Sequence, residues 1–141
     1  MDVVFHGLAL SLQSDWRDIT EDLPRGAPPT LAKPDGVGAI QFSIARHEAG
    51  NAPNVDAASL QVLITDFCAR HGFECRPQSE RRDDIQIAKS HTIVDGELVA
   101  AWYASNGSDI VLVTYVSQQA GSREAAVELE EVDALVASMR F

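Results

Sequence analysis

The chain has 141 residues, of which 45% are hydrophobic and 23% are charged. This length and composition predict one domain over residues 1–141, and they exclude a disordered, collagenous or repeat protein. The 21 acidic and 11 basic side chains give a net charge of -10, which argues against a surface that follows nucleic-acid phosphates.

The N-terminal residues have an acid, Asp2, where a secretory signal needs positive charge. No apolar stretch approaches the roughly 18 residues that cross a bilayer, and residues 110–113, for example, are strand-sized. We therefore expect a cytoplasmic chain with no membrane contact.

The first elements in chain order are predicted strands. Residues 5–12 alternate imperfectly, and residues 16–20 are expected to pair back onto them through a turn at 13–15. Residues 23–34 are rich in proline and are expected to form a surface loop. In residues 37–46, Ile40, Phe42 and Ile44 alternate with smaller or polar residues, which predicts a strand with one buried face.

Residues 56–71 predict a helix, with Asp56 as its N-cap and Gly72 as its stop. A loop at residues 48–55 precedes it. Neither of the two cysteines, Cys68 and Cys75, belongs to a Cys-x-x-Cys pair, and we expect both to be buried or half-buried free thiols.

The clearest pattern follows residue 84, where three strand-like runs cover residues 85–94, 97–105 and 108–117. The dipeptides Asp95-Gly96 and Asn106-Gly107 join them and favour hairpin turns. Because the third run is apolar on both faces, it is expected in the sheet interior. This region predicts a three-stranded antiparallel meander.

Residues 122–138 predict an acidic amphipathic helix. Its apolar stripe contains Ala125, Leu129, Val132, Val136 and Met139, and its other positions hold Glu124, Glu128, Glu130, Glu131 and Asp133. Glu124, Glu128 and Glu131 fall near one edge, where like charge accumulates. That edge is either a solvated face or a docking surface for a basic partner.

With a short strand expected around residues 73–76, the predicted order is β-β-β-α-β-β-β-β-α. Antiparallel hairpins on both sides of one helix favour an α+β fold, in which two main helices pack on an antiparallel sheet of about six or seven strands.

Two segments resemble the Mog1/PsbP/DcrB-like group of small α+β sandwiches. They are Leu8-Ala9-Leu10 followed by Asp15-Trp16-Arg17-Asp18, and the C-terminal Val136-Ala137-Ser138-Met139-Arg140-Phe141. Members of this group open with a hairpin that ends in a Trp-containing turn, and they close with a helix that runs into a final hydrophobic residue. The resemblance covers most of the chain as topology and about twenty residues as sequence. It implies a binding or assembly role without catalytic machinery.

Signatures of catalysis are missing from the sequence. The four histidines, His6, His47, His71 and His91, lie on separate elements without the spacing of a helical metal pair. The sequence has no Gly-x-Ser-x-Gly and no glycine-rich phosphate loop. We therefore predict no catalytic residues, no metal and no cofactor.

Aromatic side chains are candidate contact residues because they supply interface energy at low entropic cost. Trp102 and Tyr103 are adjacent on a strand, so they point to opposite faces. Trp16 lies beside Asp18 and close to the proline-rich loop. Each ring either seals an edge of the core or faces a partner.

The sequence leaves three functional hypotheses. The first is a non-enzymatic protein-binding module, for example a bacterial immunity or accessory protein, that engages a basic protein partner. Its predicted contact residues are Trp16, Asp18, Trp102, Tyr103, Glu124, Glu128 and Glu131. The alternative is a small-ligand-binding or hydrolytic domain with a pocket near His47, Glu48, Asp83 and Asp84. The third is a homodimer joined through the sheet face that bears Trp102 or Tyr103.

Overall fold

The fold is an α+β sandwich, as the sequence predicts. The computed structural model describes residues 1–48, 50 and 53–141. In this part of the chain, a seven-stranded antiparallel sheet is accompanied by a separate two-stranded hairpin and two α-helices.

The hairpin consists of β1 (Asp2–Phe5) and β2 (Leu8–Ser11). The helices are α1 (Ala57–Arg70) and α2 (Arg123–Ser138), and a short 3-10 turn covers Thr20–Asp22. The strands of the large sheet are β3 (Arg17–Asp18), β4 (Thr30–Ala32), β5 (Gly38–Ala45), β6 (Gln78–Arg82), β7 (Ile85–Val94), β8 (Glu97–Ser105) and β9 (Ile110–Ser117). Their spatial order is β3-β4-β5-β9-β8-β7-β6.

Helices cover the two faces of the sheet, which gives three layers. On one face, Leu60, Ile64 and Phe67 of α1 pack on Ala101 and Tyr103 of β8. On the other face, α2 and the β1-β2 hairpin bury a larger cluster that includes Trp102, Val113 and Tyr115. Because residues of β8 alternate between the two clusters, this strand belongs to both cores.

The predicted meander is confirmed as β7-β8-β9, and β9 lies inside the sheet between β5 and β8. Asp95 and Gly96 both have positive φ, of 51° and 80°, as a two-residue hairpin turn requires. The second connection is wider, because the Asn106 side chain accepts hydrogen bonds from the backbone N–H groups of Ser108 and Asp109. As a result, β9 begins at Ile110 instead of at residue 108.

Both predicted helices are confirmed, the first with its predicted cap. The Asp56 carboxylate accepts a hydrogen bond from the Ser59 N–H at 2.9 Å, and the Ser122 hydroxyl accepts one from the Ala125 N–H at 3.1 Å. Gly72 follows α1 with a φ of 72°, which satisfies the left-handed position after a helix.

The prediction for the N-terminal strands is wrong in its pairing. The hairpin turns at His6 and Gly7, which both have positive φ, so β1 pairs with β2. Trp16 follows this hairpin, and β3 pairs with β4, which lies inside the predicted proline-rich loop. The cause is local, since the weak alternation of residues 5–12 conceals a turn at His6-Gly7.

Two further expectations are wrong around the end of α1. Residues 73–77 are not a strand, and β6 begins at Gln78. Cys68 and Cys75 form a disulfide across seven residues, with 5.5 Å between their Cα atoms, so neither is a free thiol. Sequence spacing alone did not show that the turn at Gly72 brings the two side chains together.

Of the predicted loop at 48–55, residues 49, 51 and 52 lie outside the described residues.

One close approach between β5 and β9 requires a glycine. Gly38 lies where an added Cβ would come within 2.6 Å of the Tyr115 ring. The ring can therefore stay fully buried over β5 only because position 38 has no side chain.

No helix in the described ranges has the length and apolar character that a membrane span requires.

Candidate functional site

Two of the three predicted docking acids of α2 are internal. Glu128 is 3% exposed and Glu131 is 7% exposed, whereas Glu124 is exposed. The expectation that these three residues share a solvated edge is therefore wrong. Glu128 precedes Val132 by four residues and Leu135 by seven, and this spacing places it on the buried face of the helix.

Glu128 is held by two neighbouring elements. It accepts a hydrogen bond from the Tyr115 hydroxyl at 2.8 Å and another from the Val37 N–H at 3.1 Å. Burial of the Tyr115 hydroxyl and its bond to this carboxylate raise the pKa of Tyr115 well above its usual value. The pair therefore ties α2 to the sheet at the start of β5.

Glu131 is held in the same way by the N-terminal segment. It accepts hydrogen bonds from the Lys33 ammonium and, at 2.5 Å, from the Ser14 hydroxyl. Burial tends to raise the pKa of Glu131, but these two bonds and the charge of Lys33 outweigh burial, so its pKa lies below the usual glutamate value. Both internal acids thus join α2 to other elements and are not free to bind a partner.

Trp16 is buried beside this ion pair. The Lys33 ammonium lies 5.1 Å from the centre of the indole ring, which is within cation–π range. The indole nitrogen is the one buried side-chain polar atom of the described residues that has no hydrogen-bond partner. The indole lies close enough to the Glu131 carboxylate to help lower the pKa of Glu131, although the contact does not meet the geometry of a full hydrogen bond.

Both adjacent aromatic residues of β8 are buried, on opposite faces of the sheet. Tyr103 lies under α1 and Trp102 lies under α2. A homodimer centred on either ring therefore has no exposed sheet face to use. Among the seven predicted contact residues, Asp18 and Glu124 are the two that are exposed. Asp18 lies 3.3 Å from the His6 ring.

A first cleft, of about 340 Å³, lies beside the N-terminal end of α2. We call it the acidic cleft, and its lining residues are Asp15, Lys33, Asp35, Arg123, Glu124, Val127 and Glu128. Three of its acids, Asp15, Asp35 and Glu124, are exposed and come from three separate segments. Lys33 is already paired with Glu131, so its charge is largely neutralised inside the protein.

A second cleft, of about 560 Å³, lies between α2 and the β6-β7 side of the sheet. We call it the outer cleft. Its floor contains Ala100 and Trp102, and its helix wall contains Leu129, Glu130 and Asp133. The sheet wall contains Arg76, Gln78, Lys89, Ser90 and His91.

Trp102 is fixed in the outer cleft by a carboxylate. Oδ1 of Asp133 accepts hydrogen bonds from the Trp102 indole at 3.0 Å and from the Lys89 ammonium at 2.8 Å. Burial tends to raise the pKa of Asp133, but these hydrogen bonds and the charge of Lys89 outweigh it, and the pKa lies below the usual aspartate value. Burial tends to lower the pKa of Lys89, but its bonds to Asp133 and Glu80 raise it overall.

The residues of the predicted alternative pocket do not line either cleft. His47 and Glu48 follow β5, whereas Asp83 and Asp84 form the turn between β6 and β7, so β9 and β8 lie between the two pairs. Asp83 is bound by the Arg140 guanidinium at 2.9 Å. Within the described residues, no three His, Cys, Asp or Glu side chains are arranged to hold a metal ion.

The sequence did not indicate the basic residues that organise these sites. Lys33 lies in a segment expected to be a loop, and Lys89 is the one Lys, Arg, Asp or Glu in residues 85–94. The position of Lys89 was a usable signal, since a charged residue in a central run is rarely buried without a partner.

No model of a known protein family matches this chain, and no curated protein matches it in sequence. Among solved structures it is similar to a crystal structure from Bacteroides thetaiotaomicron, with a TM-score of 0.58 and 14% identity. That match covers 94% of this chain and 44% of the other, so this chain spans less than half of that protein. The likeness shows a shared fold and nothing further.

Proposed function

We propose that this chain is a non-enzymatic binding module that engages a basic segment of another protein at the acidic cleft. The observation that supports this proposal most is the convergence of Asp15, Asp35 and Glu124 on one cleft from three different segments. The convergence replaces the acidic helix edge expected from the sequence, and Glu124 is the one exposed acid of that edge that lines the cleft.

The chemistry of the cleft suits a lysine or arginine side chain. Three exposed carboxylates line the same cleft as Val127, which is 45% exposed and offers an apolar contact for the methylene groups of a long basic side chain. They outnumber Arg123, the exposed basic residue of the lining. Opposite charges of this kind accelerate encounter, and the rate falls as salt is added. The net charge of -10 acts in the same direction.

A titration with a defined probe tests the proposal. We expect an amidated, acetylated Lys-Leu-Lys peptide to shift the backbone amide resonances of Asp15, Asp35 and Glu124, and we expect the affinity to fall steeply with ionic strength. The triple variant D15N/D35N/E124Q should lose most of this binding.

A matched control removes the same charge elsewhere. The variant D66N/E74Q/D95N neutralises three exposed acids that do not line the acidic cleft, and it should bind the peptide as the wild type does. If both triple variants weaken binding equally, only net charge is at work and the proposed site is wrong. The same two triple variants can be compared for any basic protein that the chain captures from lysate. A protein that binds at the acidic cleft should be lost with D15N/D35N/E124Q and kept with D66N/E74Q/D95N.

A further inference from the structure

The outer cleft is independent of the acidic cleft, and its chemistry is different. The floor is apolar at Ala100 and Trp102, and Leu129 of α2 adds an apolar side chain to the helix wall. A volume of about 560 Å³ falls within the usual range of small-ligand sites, roughly 300 to 1000 Å³.

The floor is held in place before any ligand arrives. Asp133 fixes the Trp102 indole, and Lys89 joins Asp133 to Glu80 on β6. A ring that is held by a hydrogen bond loses little freedom when a ligand packs against it. Lys89 and Oδ1 of Asp133 are therefore structural groups of the cleft.

Other polar groups of the outer cleft are available to bind a ligand. Within the described residues, the side chains of Gln78, His91 and Glu130 make no hydrogen bond. The Arg76 guanidinium is 84% exposed and lies 3.8 Å from Glu74, a contact that costs little to exchange. The Arg76 guanidinium and the His91 imidazole lie on the sheet wall, whereas the Glu130 carboxylate lies on the helix wall.

This arrangement separates charge across an apolar floor. A ligand with a carboxylate at one end, an ammonium at the other and an apolar group between them would match both walls. We propose that the outer cleft binds a short peptide that has free termini and an apolar side chain. The peptide carboxylate faces Arg76 and His91, its ammonium faces Glu130, and its side chain lies against Trp102.

Calorimetry with the dipeptide Leu-Leu and two blocked forms tests the proposal. We expect the free dipeptide to bind with a Kd below about 1 mM. Acetylation of its amine or amidation of its carboxylate should each weaken binding about tenfold, because each removes one charge-assisted hydrogen bond.

Two variants assign the ends of the peptide. R76Q should weaken binding of the free dipeptide and leave binding of the amidated form unchanged. E130Q should weaken binding of the free dipeptide and leave binding of the acetylated form unchanged. R70Q and E21Q are the matched controls, because both residues are exposed and line neither cleft. Neither control should change any of these affinities.

The proposal is overturned if no heat is detected with Leu-Leu at about 10 mM, or if the blocked forms bind as well as the free one. It is also overturned if R76Q and E130Q behave like their controls. Circular dichroism of each variant shows whether the fold is retained. Because neither Arg76 nor Glu130 lines the acidic cleft, loss of peptide binding there and loss of dipeptide binding here are measured separately.

Discussion

At the scale of single residues, the carboxylates of α2 divide into structural and exposed groups. Glu128 and Glu131 accept hydrogen bonds from other elements, whereas Glu124 is exposed. The number and spacing of charges in the sequence do not separate the buried glutamates from the exposed one. Helical spacing could have distinguished Glu128, but the partners of Glu131 come from Ser14 and Lys33, about a hundred residues away in the chain, which local patterns cannot show.

The first prediction concerns the ion pair inside this group. E131Q should lower the free energy of unfolding by about 2 kcal/mol, because it leaves the Lys33 ammonium largely buried without its counter-charge. Urea denaturation measures the change. E124Q should alter the same quantity by less than about 0.5 kcal/mol, and equal effects of the two variants would contradict the assignment.

The same residue gives a pH dependence. The pKa of Glu131 is lowered in the folded state from the ordinary glutamate value of 4.5, so its stabilising contribution is complete above pH 4.5 and is lost as the pH falls through the folded pKa. Unfolding free energies measured between neutral and acid pH should therefore fall less steeply for E131Q than for the wild type. Parallel curves for the two proteins would show that Glu131 is not the group responsible.

A third prediction tests the close approach of β5 and Tyr115. G38A should destabilise the protein by about 2 kcal/mol, because the new methyl group overlaps the ring. In the double variant G38A/Y115L the ring is gone, and the cost of the added methyl group should be smaller than in the wild-type background. Strict additivity in this thermal-denaturation cycle would mean that the two residues do not interact.

At the scale of elements, periodicity predicted the strong segments and failed at the weak ones. The meander and both helices follow from alternation, turn dipeptides and caps, since these signals are local. The N-terminal strands are short, and β4 has only three residues, Thr30–Ala32, so pairing with β5 defines it more than its own sequence does. The disulfide was missed for a similar reason, because it depends on how the chain turns after α1.

That disulfide gives the fourth prediction. It closes a short loop, and opening a loop of this size should cost about 2 kcal/mol of stability. Thermal denaturation with and without a reducing agent measures this cost. The C75S variant should match the reduced wild type and show no further response to the reducing agent. A wild type that is equally stable in both conditions would argue that the cross-link contributes nothing.

At the scale of the whole molecule, the sheet joins two cores that share β8. The sequence predicted a sheet with two helices, and the apolar third run of the meander indicated that both of its faces are covered. It did not assign one helix to each face or show that the N-terminal hairpin completes the layer of α2. Those features depend on contacts between distant segments, such as the bridge between Ala9 and Arg140. The outer cleft was missed for the same reason, although the sequence singled out Trp102 for its floor.

The shared strand gives the fifth prediction, which is cooperative unfolding as one domain. Far-ultraviolet circular dichroism and tryptophan fluorescence should give coincident denaturant transitions, because neither core survives loss of β8. The two tryptophans report only on the α2 face, so earlier loss of the helical signal would reveal that the α1 layer unfolds separately.

The outermost strand of the sheet, β6, also has a consequence for self-association. Its five residues, Gln78–Arg82, are all polar or charged, and its outer edge pairs with no other strand in the described chain. If a second copy added itself symmetrically along all five residues, Glu80 would lie opposite Glu80, and like charges directly opposite each other destabilise a strand pair. The charged residues of β6 thus oppose growth of the sheet from one molecule into the next, as charges at sheet edges commonly do.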